Sequence, residues 1–266
     1  MATVPFLPPL ERLSRVRVVL HSPRHPGNIG AAARAMKTMG LSRLSLVTPE
    51  RFPDDEAYRR ASGARDLIDA VGLHPDLDAA VAGCVLVVAV AARPRDHAPV
   101  SMPPRMLMPR LLDLAAQGDV AMVFGNETNG LSRADVNRCD FLVRIPTGGE
   151  YASLNLGAAV QVLCYELRMA ALEAAGTDGS RPDDALDSPL ATHEQVGQLL
   201  AHAERTLVAL DFLVPDRPSR LMERIARLAR KARLEQEEVN ILRGVLAAAE
   251  AAQAAAGRAR PERPAR

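Results

Sequence analysis

The chain has no tryptophan, and only three tyrosines and five phenylalanines among its 266 residues. Base stacking on a broad aromatic platform is therefore excluded as the main mode of any nucleic-acid contact. Cysteine is scarce too: Cys84, Cys139 and Cys164 are widely spaced and set among apolar neighbours. An odd number cannot form a complete disulfide framework, and this spacing suits no metal, so buried thiols and no metal site are expected. No apolar run approaches the ~20 residues of a membrane helix, and no membrane partner is expected. The N-terminus, MATVPFLPPLERLSR, has prolines and an acid where a signal peptide has an apolar core, which points to the cytoplasm. Charge of either sign is not in excess, the net value being +1. A nucleic-acid partner must then be argued from local clusters of basic residues.

What the chain does have is apolar content, 48% of residues, enough for a sizeable core. VRVVLH, Val16 to His21, is a β-rich run, and SPRHPGN after it is a loop enforced by Pro23, Pro26 and Gly27. Asn28 is placed to cap the helix IGAAARAMKTMG, which Gly40 ends. LSLVTP is a second strand, so strand, loop, helix and strand make a βαβ unit and predict a parallel sheet. ASGARDLIDA and LDAAVAGC read as short helical pieces. CVLVVAVAA, Cys84 to Ala92, is continuous enough to be a strand buried on both faces. Residues 104–117 read as helix, VAMVFG as a buried strand, and NETNGLS as a loop before a helix capped by Ser132. FLVRI is the last strand, stopped by Pro146, which has no N–H to give a ladder. After it Leu156, Ala159, Val160, Leu163 and Leu167 recur at helical spacing.

Composition shifts near residue 172. Residues 173–190, acidic with Gly and Pro, read as a linker. Residues 191–256 read as a helical extension, opened by a capping box of Thr192 and Gln195. Its first segment has an apolar side of Leu199, Leu200, Leu207, Leu210 and Phe212. In its second, Leu221, Ile225, Leu228 and Ala232 share one face, and Arg220, Arg224, Arg227 and Lys231 another. A third segment, EQEEVNILRGVLAAAEAAQAAA, can continue from it. Residues 1–14 read as irregular and the tail 257–266 as disordered.

Three loops follow strand ends. PGNIGAAAR lacks the third glycine of a dinucleotide fingerprint and has no Gly-Lys-Ser/Thr for a P-loop. Arg34 lies about two turns into its helix, and alone reads as a solvated or ion-paired residue. In GNETNGLS, Glu127 stands at the C-terminal end of a buried strand, where open α/β sheets bind ligands; a hydrogen-bonded turn carboxylate is the plainer reading. In the third loop Ser153 and Asn155 precede a helix N-terminus with its free N–H groups, and either can be a simple cap. Together the loops describe a ligand cleft without naming the ligand.

In that order NIGAAARAM, VFGNETNGLS and IPTGGEYASLNLGAAVQVLCYE resemble the three motifs of the SPOUT class, specifically the TrmH (SpoU) family of RNA ribose 2′-O-methyltransferases. The resemblance covers residues 16–170. MKTMGLSRLSLVTP, AGC, ARPR and EEVNILRG are similar to one branch, the TrmJ enzymes that methylate cytidine or uridine at tRNA position 32. The resemblance implies an α/β methyltransferase domain over 15–172, whose parallel sheet ends in a deep trefoil knot, plus a small helical RNA-binding extension. It implies S-adenosyl-L-methionine as cofactor, held by Val90, Ala91, Ala92, Gly125, Ile145, Ser153 and Leu154, with Glu127 ordering the loop beside them. It implies a catalytic set of Arg34 with Asn28, Ser153 and Asn155. It also implies a homodimer with the site at the interface, so that Val160, Leu163 and their neighbours would face a partner and not only the core. tRNA would be held by Arg93 near the cleft and by Arg220, Arg224, Arg227 and Lys231. The alternatives are the same chemistry on ribosomal RNA or the tRNA wobble ribose, or a knotted RNA-binding protein without catalysis. A nicotinamide-dependent enzyme is disfavoured by the incomplete glycine fingerprint.

Overall fold

In the computed structural model, which describes residues 7–92, 99–148, 153–176, 188–214 and 220–258, the run VRVVLH forms the strand β1 (Val16–His21). Helix α1 (Pro26–Thr38) crosses over to β2 (Arg43–Val47), which pairs parallel with β1. On its other side β1 pairs parallel with β6 (Asp119–Phe124). With β3 (Gly72–His74), β4 (Cys84–Val90), β5 (Val100–Met102) and β7 (Phe141–Val143), these form a seven-stranded sheet of order β3-β2-β1-β6-β4-β7-β5. Every pairing is parallel. The continuous apolar runs follow from this: Val88, Ala89, Ala121 and Met122 are wholly buried, on both faces of the sheet.

The sequence reading omits β3 and β5. Each is three residues long and lies at a sheet edge, too short for alternation to register and without a partner on one side. The FLVRI strand ends at Val143, though the Arg144 N–H still reaches the Met102 carbonyl of the neighbouring strand at 3.3 Å. Asn28 is not the cap of α1. Pro26, with no N–H to lose, takes the first helical position after His25, and Asn28 lies inside the first turn. The other end is as expected: Gly40, at φ +84°, closes α1 with Gly40 N–H on the Lys37 carbonyl and Leu41 N–H on that of Met36.

The remaining helices of this unit, Met1–Ala185, are short, except α5 and the last. They are α2 (Asp55–Ala61), α3 (Arg65–Asp69), α4 (Leu77–Val81), α5 (Pro104–Leu114), α6 (Arg133–Asn137) and α7 (Leu156–Gly176). Helix α7 runs into the stretch read as linker. Of residues 1–14, the stretch from Glu11 is a 3-10 turn that buries Leu13.

The second unit, Leu186–Arg266, holds α8 (His193–Ala209), α9 (Leu221–Ala232) and α10 (Gln236–Arg258). Thr192 and Gln195 form the expected capping box. Helix α10 does not continue α9: Arg233 is left-handed at φ +50° and breaks the path. The core here is small, Ala191, Leu199 and Val239 with Val196, Leu234 and Leu246 around them. Leu228 does not join an apolar contact face; it is 70% exposed. Most of the expected linker and all of the tail beyond residue 258 lie outside the described residues.

Candidate active site

Val90 is level with Phe124 on one side and with Val143 on the other. The carboxyl ends of β4, β6 and β7 therefore form one edge. Val90, Ala91 and Ala92, then Gly125, then Ile145, come to it from three separate parts of the chain. The Ala91 N–H donates to the Val143 carbonyl at 3.1 Å, which fixes the turn out of β4. All five have small or apolar side chains, so what the edge presents to a ligand is mostly backbone. Gly125 has no room for a side chain: a Cβ there would lie 2.1 Å from backbone atoms of Gly130 and Leu131. The loop after it folds back through the pair Asn126–Gly130, with the Asn126 Oδ1 accepting from the N–H groups of Thr128 and Asn129 at 3.1 and 2.7 Å.

This turn delivers Glu127 to the start of α1. Its carboxylate accepts from the Arg24 N–H at 2.9 Å, the His25 N–H at 3.1 Å and the Asn28 Nδ2 at 2.8 Å. Half-burial alone would raise its pKa. The hydrogen bonds from Asn28 and from the N–H groups of Arg24, Glu127 itself and His25 outweigh that and hold it below the ordinary carboxylate value. Asn28, committed to donate to Glu127, offers its Oδ1 to the Asn155 Nδ2 at 2.9 Å. Asn155 in turn accepts the Gly157 N–H at 2.9 Å and so caps α7. One hydrogen-bonded chain thus joins all three motif loops.

The candidates divide accordingly. Asn28, Glu127 and Asn155 are brought together, and Ser153 and Leu154 are the exposed residues leading into Asn155. Arg34 lies apart from the chain, exposed on α1. Arg220, Arg224, Arg227 and Lys231 are exposed in the second unit, the first at the N-cap of α9. Arg93 lies outside the described residues. Val160 and Leu163 face the core of their own chain and are fully buried. The exposed side of α7 is instead the row Ala158, Tyr165 and Leu172, with Val162 and Met169 partly covered between them. Sequence reasoning missed Arg24, which donates to Glu50 at 2.7 Å and to the Thr128 hydroxyl at 3.0 Å. Nothing local marks it, since its partners are distant in the chain.

The three cysteines are free and buried, as expected. Burial pushes the Cys84 thiol up to about 11 and that of Cys164 to about 12.

With this geometry in view, the profile of the SpoU rRNA methylase family matches residues 15–165. The chain belongs to the SpoU methylase family. A second profile, the C-terminal domain of the tRNA methyltransferase TrmJ, matches residues 194–262. Among SpoU relatives, the tRNA (cytidine/uridine/adenosine-2′-O-)-methyltransferase TrmJ of Pseudomonas aeruginosa is 46% identical over 218 residues, 80% of this chain and 85% of that one. The tRNA (cytidine/uridine-2′-O-)-methyltransferase TrmJ of Escherichia coli K12 is 42% identical, covering 80% and 86%. The crystal structure of TrmJ from Z. mobilis ZM4 superposes with TM-score 0.74 at 30% identity, over 88% of this chain and 98% of that one. A putative methylase family protein from Neisseria gonorrhoeae gives 0.63 at 40% identity, over 72% and 95%. Within the SpoU family the chain thus groups with the TrmJ proteins.

Proposed function

We propose that this SpoU-family chain methylates the ribose 2′-hydroxyl of cytidine or uridine at position 32 of tRNA, as a cytoplasmic homodimer using S-adenosyl-L-methionine. The observation that carries the reading is the chain of hydrogen bonds from Glu127 through Asn28 to Asn155. It draws three motif loops to the carboxyl edge of the sheet, in a protein 46% identical to a tRNA 2′-O-methyltransferase.

The edge of β4, β6 and β7 fits an adenosyl ligand held by backbone groups. Ala91, Ala92 and Gly125 put no bulky side chain over this edge, and the close approach at Gly125 shapes the loop beside it. When bound, the cofactor supplies an electrophilic methyl. The chain's residues then have two tasks: to hold the 2′-oxygen in line, and to lower the cost of removing its proton. Arg34 serves the second. As a literal base it is unsuited, its pKa exceeding about 12. Its planar fork suits a phosphate oxygen and the alkoxide developing next to it. Ser153 and Asn155 line the approach to α7 and orient the hydroxyl. Glu127, ionised, keeps Asn28 and Asn155 in one orientation.

The sheet order supports the deep trefoil knot, since β7 lies between β4 and β5 although it follows both by way of β6. The row Ala158, Val162, Tyr165, Met169 and Leu172 supports dimerisation, with Tyr165 48% and Leu172 42% exposed. The methyltransferase domain spans 15–172. The basic side of α9 supports tRNA binding by an extension over 191–256.

The test is methyl transfer from labelled S-adenosyl-L-methionine to transcribed tRNA and to ribosomal RNA, with the modified nucleotide mapped. A 2′-O-methyl at position 32 is expected, on transcripts bearing C or U there. Transcripts with A at that position test the wider range in the Pseudomonas relative's name. A methyl found only on ribosomal RNA would overturn the substrate.

A further inference from the structure

We infer that Arg60 joins Arg34 in a subsite for a backbone phosphate of the RNA, next to the reacting ribose. The inference rests on the methyltransferase reading and adds a residue that neither the motifs nor the resemblance assigns.

Helix α2 lies on α1 with no space between them. A Cβ on Gly30 would meet the Ala57 carbonyl oxygen at 2.2 Å, the Ala61 nitrogen at 2.8 Å and the Arg60 Cβ at 2.8 Å. One turn earlier, a Cβ on Gly27 would meet the Arg60 Cγ at 3.5 Å and the Glu56 Oε1 at 2.7 Å. The stem of Arg60 is thus laid along the first turns of α1 by its Cβ and Cγ. Gly27, Gly30, Arg34 and Lys37 follow one another at helical spacing on one face of α1. The Lys37 ammonium is 2.6 Å from the Asp66 carboxylate. Arg34 therefore stands between Arg60, one turn before it, and the Lys37–Asp66 pair, one turn after.

Arg34 and Arg60 share with Arg59 and Arg65 the lack of a carboxylate partner among the described residues, and of these four only Arg34 and Arg60 are placed by the Gly27–Gly30 face of α1. Arg17 and Arg43 share Asp119, Arg51 is paired with Asp54, and Lys37 with Asp66. Among the described residues Arg34 and Arg60 make no ion pair, and both are exposed. The acids that face this strip are Asp66, already paired, and Glu56, which lies a helical turn before Arg60 and against Gly27. Each guanidinium is left without a carboxylate, and an anion lying along this face of α1 would be held by both. A phosphodiester is the anion that RNA supplies, and two planar forks suit its paired oxygens. The contact positions the strand and reads no base.

The packing also makes the test clean. Arg60→Ala keeps the Cβ that rests on Gly30, so α2 stays docked. Arg59, two residues from both buried Ala57 and Ala61, projects from the opposite side of α2 and serves as the control. Steady-state methyl transfer by the full chain is measured against tRNA concentration at several salt concentrations, with S-adenosyl-L-methionine binding followed by calorimetry. For Arg60→Ala we expect KM for tRNA to rise about tenfold with kcat nearly unchanged, and the logarithmic salt slope to fall by about one. Cofactor affinity should hold, Arg60→Lys should recover the salt slope but only part of KM, and Arg59→Ala should behave as wild type. If wild type methylates tRNA while Arg60→Ala matches it in KM and slope, the inference is overturned and the function stands. An equal loss in Arg59→Ala overturns it too, since only general charge would then be at work. No transfer to tRNA by wild type removes the methyltransferase reading and this inference together.

Discussion

Asn155 reaches back to Asn28, its Nδ2 donating to the Asn28 Oδ1 at 2.9 Å across 127 residues of sequence. Neither amide is free to turn over. At one end Glu127, ionised, can only accept; at the other the Gly157 N–H can only donate. The two fixed ends dictate which way both amides between them face.

Glu127→Gln puts an NH2 group where the Arg24, His25 and Asn28 donors converge. At least one of them loses its acceptor, and the order of both amides is disturbed. The expected results are a loss of about 1–3 kcal/mol in denaturant unfolding and a fall in kcat of at least about tenfold. Full activity in this variant would mean that the chain does not position the site.

The same group gives stability a pH dependence. Its folded-state pKa lies below the ordinary 4.5, so the folded chain binds fewer protons there than the unfolded one. The stabilisation is complete above 4.5 and is lost as pH falls through the lower folded value. Urea unfolding of wild type and Glu127→Gln should show a constant gap from neutral pH down to about pH 5. The gap should narrow on further acidification; one that widens would contradict the assignment.

Arg34→Ala should abolish nearly all turnover yet bind S-adenosyl-L-methionine as wild type does in calorimetry. Arg34→Lys is the finer probe, keeping charge and losing the fork. We expect it to stay at least about a hundredfold below wild type. Unchanged turnover in Arg34→Ala would remove Arg34 from the chemistry.

How much of this was legible beforehand differs by element. The buried strands were plain, since runs such as that from Cys84 to Val90 are too apolar to lie anywhere but inside a parallel sheet. The edge strands β3 and β5 were not, being three residues each. As the cap of α1, Asn28 is misread from sequence. Its residue type suggested a cap, but Pro26 had already supplied a helix start, which freed the amide for Glu127. Val160 and Leu163 carried the right period, but periodicity marks two sides of a helix and does not say which is covered by its own chain. Arg24 carried no signal at all, because its partners, Glu50 and Thr128, are brought to it only by the sheet.

Tyr165→Asp on the exposed row of α7 places a charge where a partner helix would pack. Because the side chain is 48% exposed, the fold of the single chain should persist. Sedimentation should show monomer in place of dimer, with methyl transfer lost at the same time. A dimer that survives would move the interface elsewhere.

The cysteines offer a check on the core. With the Cys84 thiol raised to about 11 and that of Cys164 to about 12, both are uncharged at pH 8 and shielded from reagent. Ellman's reagent should find almost no reactive thiol in the native chain and three after denaturation. Rapid native reaction would mean that the sheet opens readily.

The alignment of Val90, Phe124 and Val143 has a consequence for how the protein comes to exist as a binder. These residues arrive from strands far apart in the chain, and the edge they make is complete only when β4, β6 and β7 have all been zipped together. Assembly on this plan is dominated by long-range closure and is correspondingly slow. A ligand seated on such an edge is coupled to the cooperative unit as a whole. At a hundred times its Kd it would add about 2.7 kcal/mol to global unfolding, visible as one upward shift of the entire thermal transition.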